Sequence, residues 1–262
     1  MQSTHSATDL PSLRKQKILL LLERDGKVTA ADLVEHFAVS QDTIRRDLGE
    51  LSAAGLLQRV HGGALPRPKD TGKDFFTRVG ETSDAKRHLA QLAASRVQDG
   101  QIVLFDSGTT TLQIAQALPS GIRLTAVTHS PMIAIALAEH PNVTVILAGG
   151  QLNPATMAAS GHEALRLIQS VQADLLFTGV CALHPKVGIS SLHFEEVAVK
   201  QAMLDSASHV VAVTLADKLD AVEPFVVAPC SRIHTLITEW HVPMGSVEAY
   251  EQLGVEVIQA DV

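Results

Sequence analysis

The chain has 262 residues, 46% of them hydrophobic and 3% aromatic, and a formal net charge of −7. That length holds one large domain or a small and a medium one with a sizeable core, and so few aromatics exclude a binder of RNA or single strands built on base stacking. The acidic excess is uneven. Residues 1–70 carry 10 Lys/Arg against 9 Asp/Glu, whereas residues 71–262 carry 11 against 19, so only the first part can approach a phosphate backbone without strong repulsion. The two cysteines, Cys181 and Cys230, are far apart, which argues against a disulfide framework or a zinc site. The polar start and the lack of an apolar run of about 18 residues point to a soluble, cytoplasmic protein that needs no membrane.

Residues 1–10 read as a disordered tail and residues 11–66 as a small helical unit. Its first helix runs from about Pro11 to Arg24, with Leu13, Ile18, Leu21 and Leu22 as its apolar stripe. Thr29 caps a second short helix through a Thr29-x-x-Asp32 pattern, and a tight turn at Phe37-Ala38-Val39 leads to Ser40, the cap of a third helix over Gln41–Ala53. On that helix Ile44, Leu48 and Leu51 face the core, while Asp42, Arg45, Arg46 and Gly49 lie opposite. Arg45 and Arg46, with Ser40, Gln41 and Thr43 in the first turn, suit a helix that reads a major groove: arginine bridges guanine or clamps phosphate, and hydroxyls and free N–H groups hold phosphate. Leu56–Val60 is strand-like and His61-Gly62-Gly63-Ala64 a turn, so Arg59 and His61 flank the tip of a wing. Arg14, Lys15 and Lys17 are expected to add phosphate contacts.

Residues 67–83, rich in Pro, Gly and charge, read as a linker, and residues 84–262 as a second domain. Strands are expected at 102–105, 122–127, 143–147, 173–178, 209–214, 234–237 and 255–258, with helices at 84–97, 109–117, 131–139, 160–170 and 194–207. Continuous apolar strands alternating with helices make this an α/β domain with a mostly parallel sheet. The strand Ile102–Phe105 runs into Asp106-Ser107-Gly108-Thr109-Thr110-Thr111, where Gly108 permits close backbone approach and helix N–H groups and hydroxyls can hold an anion. Small and polar residues also end later strands: Thr128-His129-Ser130, Ala148-Gly149-Gly150 and Thr178-Gly179. They mark the rim of a pocket to which His129, Gly149 and Gly150 are assigned. Without a Walker lysine or GxGxxG, nucleotides are poor candidates.

These motifs resemble one family. Val39-Ser40-Gln41-Asp42-Thr43-Ile44-Arg45-Arg46-Asp47-Leu48, followed by Leu51, Gly55, Leu57, Arg59 and His61-Gly62-Gly63-Ala64, look like the N-terminal signature of DeoR-type regulators, and the resemblance continues more loosely along nearly the whole chain. It implies a winged helix-turn-helix that binds a double-stranded DNA operator, usually as a repressor of a sugar-catabolic operon. It also implies a C-terminal sensor sharing the fold of ribose-5-phosphate isomerase, a phosphorylated sugar held by the Asp106–Thr110 loop, and action as a homo-oligomer. Lys86 and Lys218 match family lysines that could neutralise the phosphate. The chain departs from the pattern at His129, where Asn is frequent, at Asn153, near a frequent Arg, and at Ala216-Asp217-Lys218-Leu219, where Asp-x-Ser-Lys is common.

The alternative is a sugar-phosphate isomerase or deaminase. It needs a carboxylate base near the sugar, and Thr178-Gly179-Val180-Cys181-Ala182-Leu183 contains none. Glu196 and Lys200, four apart, read as a supporting helix pair, and the 12 histidines show no metal-ligand spacing. No catalytic residue, metal or cofactor is therefore expected. A protein-interaction module is the third class, disfavoured by the Arg45-Arg46 face and the wing.

Overall fold

The computed structural model describes residues 11–66 and 72–260. The expected tail at 1–10 and part of the expected linker, residues 67–71, lie outside them. The N-terminal unit consists of α1 (Pro11–Asp25), β1 (Val28–Thr29), α2 (Ala30–Phe37), α3 (Gln41–Ala53), β2 (Gln58–Val60) and β3 (Gly63–Leu65), with the strands in the order β1-β3-β2. Thr29 and Ser40 cap α2 and α3 by accepting hydrogen bonds from the Asp32 and Thr43 amides, and Ala38 makes the turn between them in the left-handed region. Ile18, Leu22, Leu33, Phe37, Ile44, Leu48, Leu51 and Leu57 form the core. The expected turn at 61–64 is shorter than its sequence suggests: only His61 and Gly62 turn, and Gly63 begins a strand. A Cβ on Gly63 would lie 2.0 Å from the Val28 carbonyl oxygen, so glycine lets the wing pack against β1.

One polar contact fixes α1 against α3. Arg14 donates to both Asp47 oxygens, at 2.5 and 3.2 Å, with both side chains buried. Lys15 meets Glu50 at 2.7 Å. These contacts correct the expectation that Arg14 and Lys15 serve DNA phosphates: both cations face the neighbouring helix.

The second domain begins inside the expected linker. Asp74 caps α4 (Phe75–Gly80) by accepting from the Thr77 amide at 3.0 Å. Phe75 is fully buried in the domain core, and its amide donates to the Ala155 carbonyl at 2.8 Å. Burying that side chain is worth about 1.5–3 kcal/mol, enough to hold a helix too short to be stable alone. Then follow α5 (Asp84–Ala94), β4 (Ile102–Phe105), α6 (Thr109–Gln116), β5 (Leu124–Thr128), α7 (Pro131–Ala138), β6 (Val143–Leu147), the hairpin β7 (Gln151–Asn153) and β8 (Ala158–Ser160), α8 (His162–Gln169) and β9 (Ala173–Thr178). The chain continues through β10 (Ala182–His184), β11 (Gly188–Ser191), α9 (Phe194–Asp205), β12 (Ala207–Val213), β13 (Phe225–Ala228), β14 (Thr235–Glu239), α10 (Met244–Glu251) and β15 (Glu256–Ala260).

The seven strands expected from the sequence form one sheet in the order β15-β14-β12-β9-β4-β5-β6, with every neighbouring pair parallel. Apolar clusters cover both faces. The chain enters at β4, winds outward through β5 and β6, returns to β9 beside β4 and winds outward the other way. The β4–β9 pair is therefore the switch point at which such sheets open a crevice beyond their strand ends. The small sheets β7–β8 and β10-β11-β13 are absent from the sequence reading.

Replacing Asp47 with Ala leaves the Arg14 guanidinium buried without its carboxylate. This should destabilise the N-terminal unit by about 3–5 kcal/mol, whereas the apolar pair Arg14→Met with Asp47→Leu should recover most of the loss; urea unfolding of the three proteins measures both.

Candidate DNA interface and ligand site

On α3, Gln41, Arg45 and Arg46 are exposed, as are Ser40 at its cap and Arg59 and His61 on the wing, while Thr43 is half-buried. The expected reading face is thus on the surface. The Arg45–Asp42 contact is only 4.0 Å long between exposed groups, a geometry worth almost nothing. Glu50 is held by Lys15, so it does not lock Arg46. A Cβ on Gly49 would sit 3.6 Å from an Arg59 terminal nitrogen, which brings the wing's arginine over the same helix.

The second site lies at the switch point. Its organiser is Asp106, directly after β4 and only 1% exposed. One carboxylate oxygen accepts from the Ser107 amide at 2.8 Å and lies 3.1 Å from His129 Nε2; the other accepts from the Gly179 amide at 2.7 Å and the Lys200 ammonium at 2.5 Å. Burial alone would raise the Asp106 carboxyl, but Lys200 and His129 outweigh it and hold it well below the carboxylate range. Burial would likewise lower Lys200, and the Asp106 and Glu196 carboxylates override that and push it above the ordinary lysine value. Because Asp106 is depressed in the folded state, its contribution to stability is present above the unfolded pKa of about 4 and is lost as the pH falls toward the folded one. His129 is fully buried, and its Nδ1 donates to the Ala159 carbonyl at 2.7 Å.

Above this network Gly108, with φ +130°, opens α6 with no side-chain cap, so the N–H groups of the first turn and the hydroxyls around them face a pocket. Ser107, Gly108, Thr109, Thr110 and Thr111 line one wall. Gly179, Val180 and Cys181 after β9, with Glu196 and Lys200 on α9, line another; Lys218, Thr156 and Arg78 complete it. Lys86 stands behind the wall, its ammonium donating to Thr109 Oγ1 at 3.2 Å.

The sequence-assigned residues therefore divide. Ser107, Gly108, Thr109, Thr110 and Lys218 meet in the pocket. Asp106 and His129 lie beneath it and support the loop, since all their polar contacts are spent inside the protein. Gly149 and Gly150 are exposed and do not line it; Gly150 lies against the Ser160 carbonyl. Glu196 supports the Lys200 charge as a neighbour on α9 without hydrogen-bonding it: the ammonium binds Asp106 and the Gly179 carbonyl, and Glu196 Oε1 is buried without a hydrogen-bond partner. Arg78 and Thr156 escaped the sequence reading because they lie in a supposed linker and a short hairpin turn, where no periodicity flags them.

A winged helix with a cationic exposed face, joined to an α/β domain with an anion-suited crevice, is the arrangement of a DNA-binding transcriptional regulator. Family models agree: the DeoR-like helix-turn-helix domain matches residues 14–67 and the DeoR C terminal sensor domain matches residues 81–240. The chain is 35% identical over 252 residues to the HTH-type transcriptional regulator GlpR of Haloferax volcanii, covering 95% of this chain and 98% of that one. It is 30% identical over 200 residues to the glycerol-3-phosphate regulon repressor of Escherichia coli, covering 76% and 79%. A structure of ribose 5 phosphate isomerase A from Neisseria gonorrhoeae is a remote likeness, at 15% identity and a TM-score of 0.40 over 52% of this chain and 53% of that one. The chain belongs to the DeoR family of transcriptional regulators and acts as a DNA-binding regulator, not as an enzyme. Among the described residues no helix is long and apolar enough to cross a membrane.

A Cβ on Gly179 would come within 2.3 Å of the Ser107 carbonyl and 3.1 Å of an Asp106 oxygen. Gly179→Ala should therefore displace the Ser107–Thr111 loop and lower the melting temperature of the second domain, which thermal unfolding of the two proteins would register.

Proposed function

We propose that the chain is a repressor that grips an operator with α3 and its wing, and that a phosphorylated sugar in the switch-point pocket decides when it does so. The observation that carries this reading is the uncapped start of α6, ringed by hydroxyls and by Lys218 and Arg78, since helix N-termini with nearby cations suit phosphate. Ser107, Gly108, Thr109, Thr110 and Lys218 hold the phosphate, Lys86 orients Thr109, and Asp106 with His129 keeps the loop in shape. Ser40, Gln41, Thr43, Arg45, Arg46, Arg59 and His61 meet the duplex. A relative named as the glycerol-3-phosphate regulon repressor supports repression and a phosphorylated effector. One small reading head gives limited specificity, so the protein works as a homo-oligomer in the cytoplasm on repeated half-sites.

Arg46→Ala should weaken operator binding by about 1–3 kcal/mol without lowering the melting temperature, and affinity should fall steeply with salt for the intact protein. Anisotropy titrations at several salt concentrations check both; unchanged affinity for Arg46→Ala would remove it from the interface.

Thr110→Val should weaken effector-driven release from the operator on the order of 10–100-fold while preserving ligand-free DNA binding, because each hydrogen bond to a charged group is worth about 1.5–3 kcal/mol. A retained response in bandshift titrations with sugar phosphates would refute the phosphate cradle.

A further inference from the structure

Buried side-chain polar atoms without a hydrogen-bond partner are uncommon and costly. Among the described residues there are six, and three of them, Arg78 Nε, Thr156 Oγ1 and Glu196 Oε1, belong to residues lining the pocket at the β4–β9 switch point, Arg78 and Thr156 also lining an adjoining cavity beside His193 and Glu223. They come from α4, the β7–β8 turn and α9, three elements brought together only by the fold. Their clustering marks a place where a guest supplies the missing partners.

Glu196 tells most about that guest. Its side chain is 2% exposed, and a carboxylate only accepts, so the partner of Oε1 has to be a donor. A phosphate dianion has no proton to give there. An ammonium on the guest would stand among Arg78, Lys200 and Lys218, all of which line the same pocket. Apart from water, which a ligand displaces, the remaining donor is a hydroxyl. The pocket thus combines amides and cations that suit one anion with a single buried acceptor. We propose that Glu196 selects the class of effector: a phosphomonoester of a neutral polyol or sugar, whose hydroxyl donates to Glu196, in preference to a phosphorylated sugar acid or a bisphosphate. This rests on the reading of the pocket as the effector site. With Lys200 held by Asp106 and the phosphate on the other cations, a second anionic group on the ligand would meet the Glu196 carboxylate in a desolvated space, where like charges cost several kcal/mol.

The test uses the full-length protein and ligand pairs that differ only at the end remote from the phosphate: glucitol 6-phosphate against 6-phosphogluconate, and ribitol 5-phosphate against 5-phosphoribonate. Calorimetric titration of the wild type should show the alcohol of each binding pair favoured by on the order of 100-fold. Glu196→Gln, whose amide can donate to a carboxylate, should shrink that preference at least ~10-fold, and Glu196→Asp should retain it. Equal affinities within a pair, a preference for the acid, or binding no tighter than inorganic phosphate for every ligand would overturn the assignment to Glu196. Inorganic phosphate separates the two levels. If it binds the wild type and Thr110→Val weakens it while the pairs show no preference, the effector site stands and the role of Glu196 falls. If neither phosphate nor any pair binds, both fall.

Discussion

The buried contact between Asp106 and Lys200 ties the ligand-binding end of the molecule together. It spans 94 positions of sequence at 2.5 Å and joins the end of β4 to α9, while the same carboxylate takes the Gly179 amide from the end of β9. A charge pair this deep repays its desolvation only when the remaining hydrogen-bonding capacity is used, and here the Ser107 and Gly179 amides use it. The consequence is positional. With the carboxylate satisfied from below, Ser107 through Thr111 turn upward, and the first turn of α6 is left without an internal acceptor.

That arrangement explains why the conspicuous acid of the loop is not a ligand contact. Asp106 looks like a group waiting for a sugar hydroxyl, but its oxygens are committed within the protein. The carboxylate lining the pocket is Glu196, one turn from Lys200 on α9. Lys86, behind Thr109, and His129, behind Asp106, form the supporting layer that keeps a binding loop in its productive shape. The site is built from a rigid base and a rim, and the rim includes Arg78 from α4, a helix that lies in the segment between the two matched family regions. Whatever fixes Arg78 therefore acts on the stretch of chain that leads back toward the DNA-binding unit.

The N-terminal unit follows the same economy on a smaller scale. Arg14 and Asp47 are consumed in holding α1 to α3, which leaves Arg45 and Arg46 exposed and without close carboxylate partners. Of five cations on the two helices that could have met DNA, the tertiary structure withdraws Arg14 and Lys15 and keeps the adjacent pair on α3 for the outside.

What the sequence determined by itself is the periodic part: three helices with their caps, seven sheet strands whose continuous apolar character requires burial on both faces, the helices between most of them, and a glycine- and threonine-rich bend after the strand at 102–105. Those signals are local, because side-chain alternation and capping are set by neighbours within a few residues. Tertiary structure decided which polar groups face inward. Asp47, Arg14, Asp106 and His129 carry no local mark of burial. Their fate depends on partners 23 to 94 positions away, and the pocket wall supplied by Arg78, Thr156 and Glu196 exists only after the chain has crossed the sheet and returned. Long-range charge pairing and the close approach of backbone at Gly63 and Gly179 arise from packing, and packing is not written in any window of the chain short enough to be read alone.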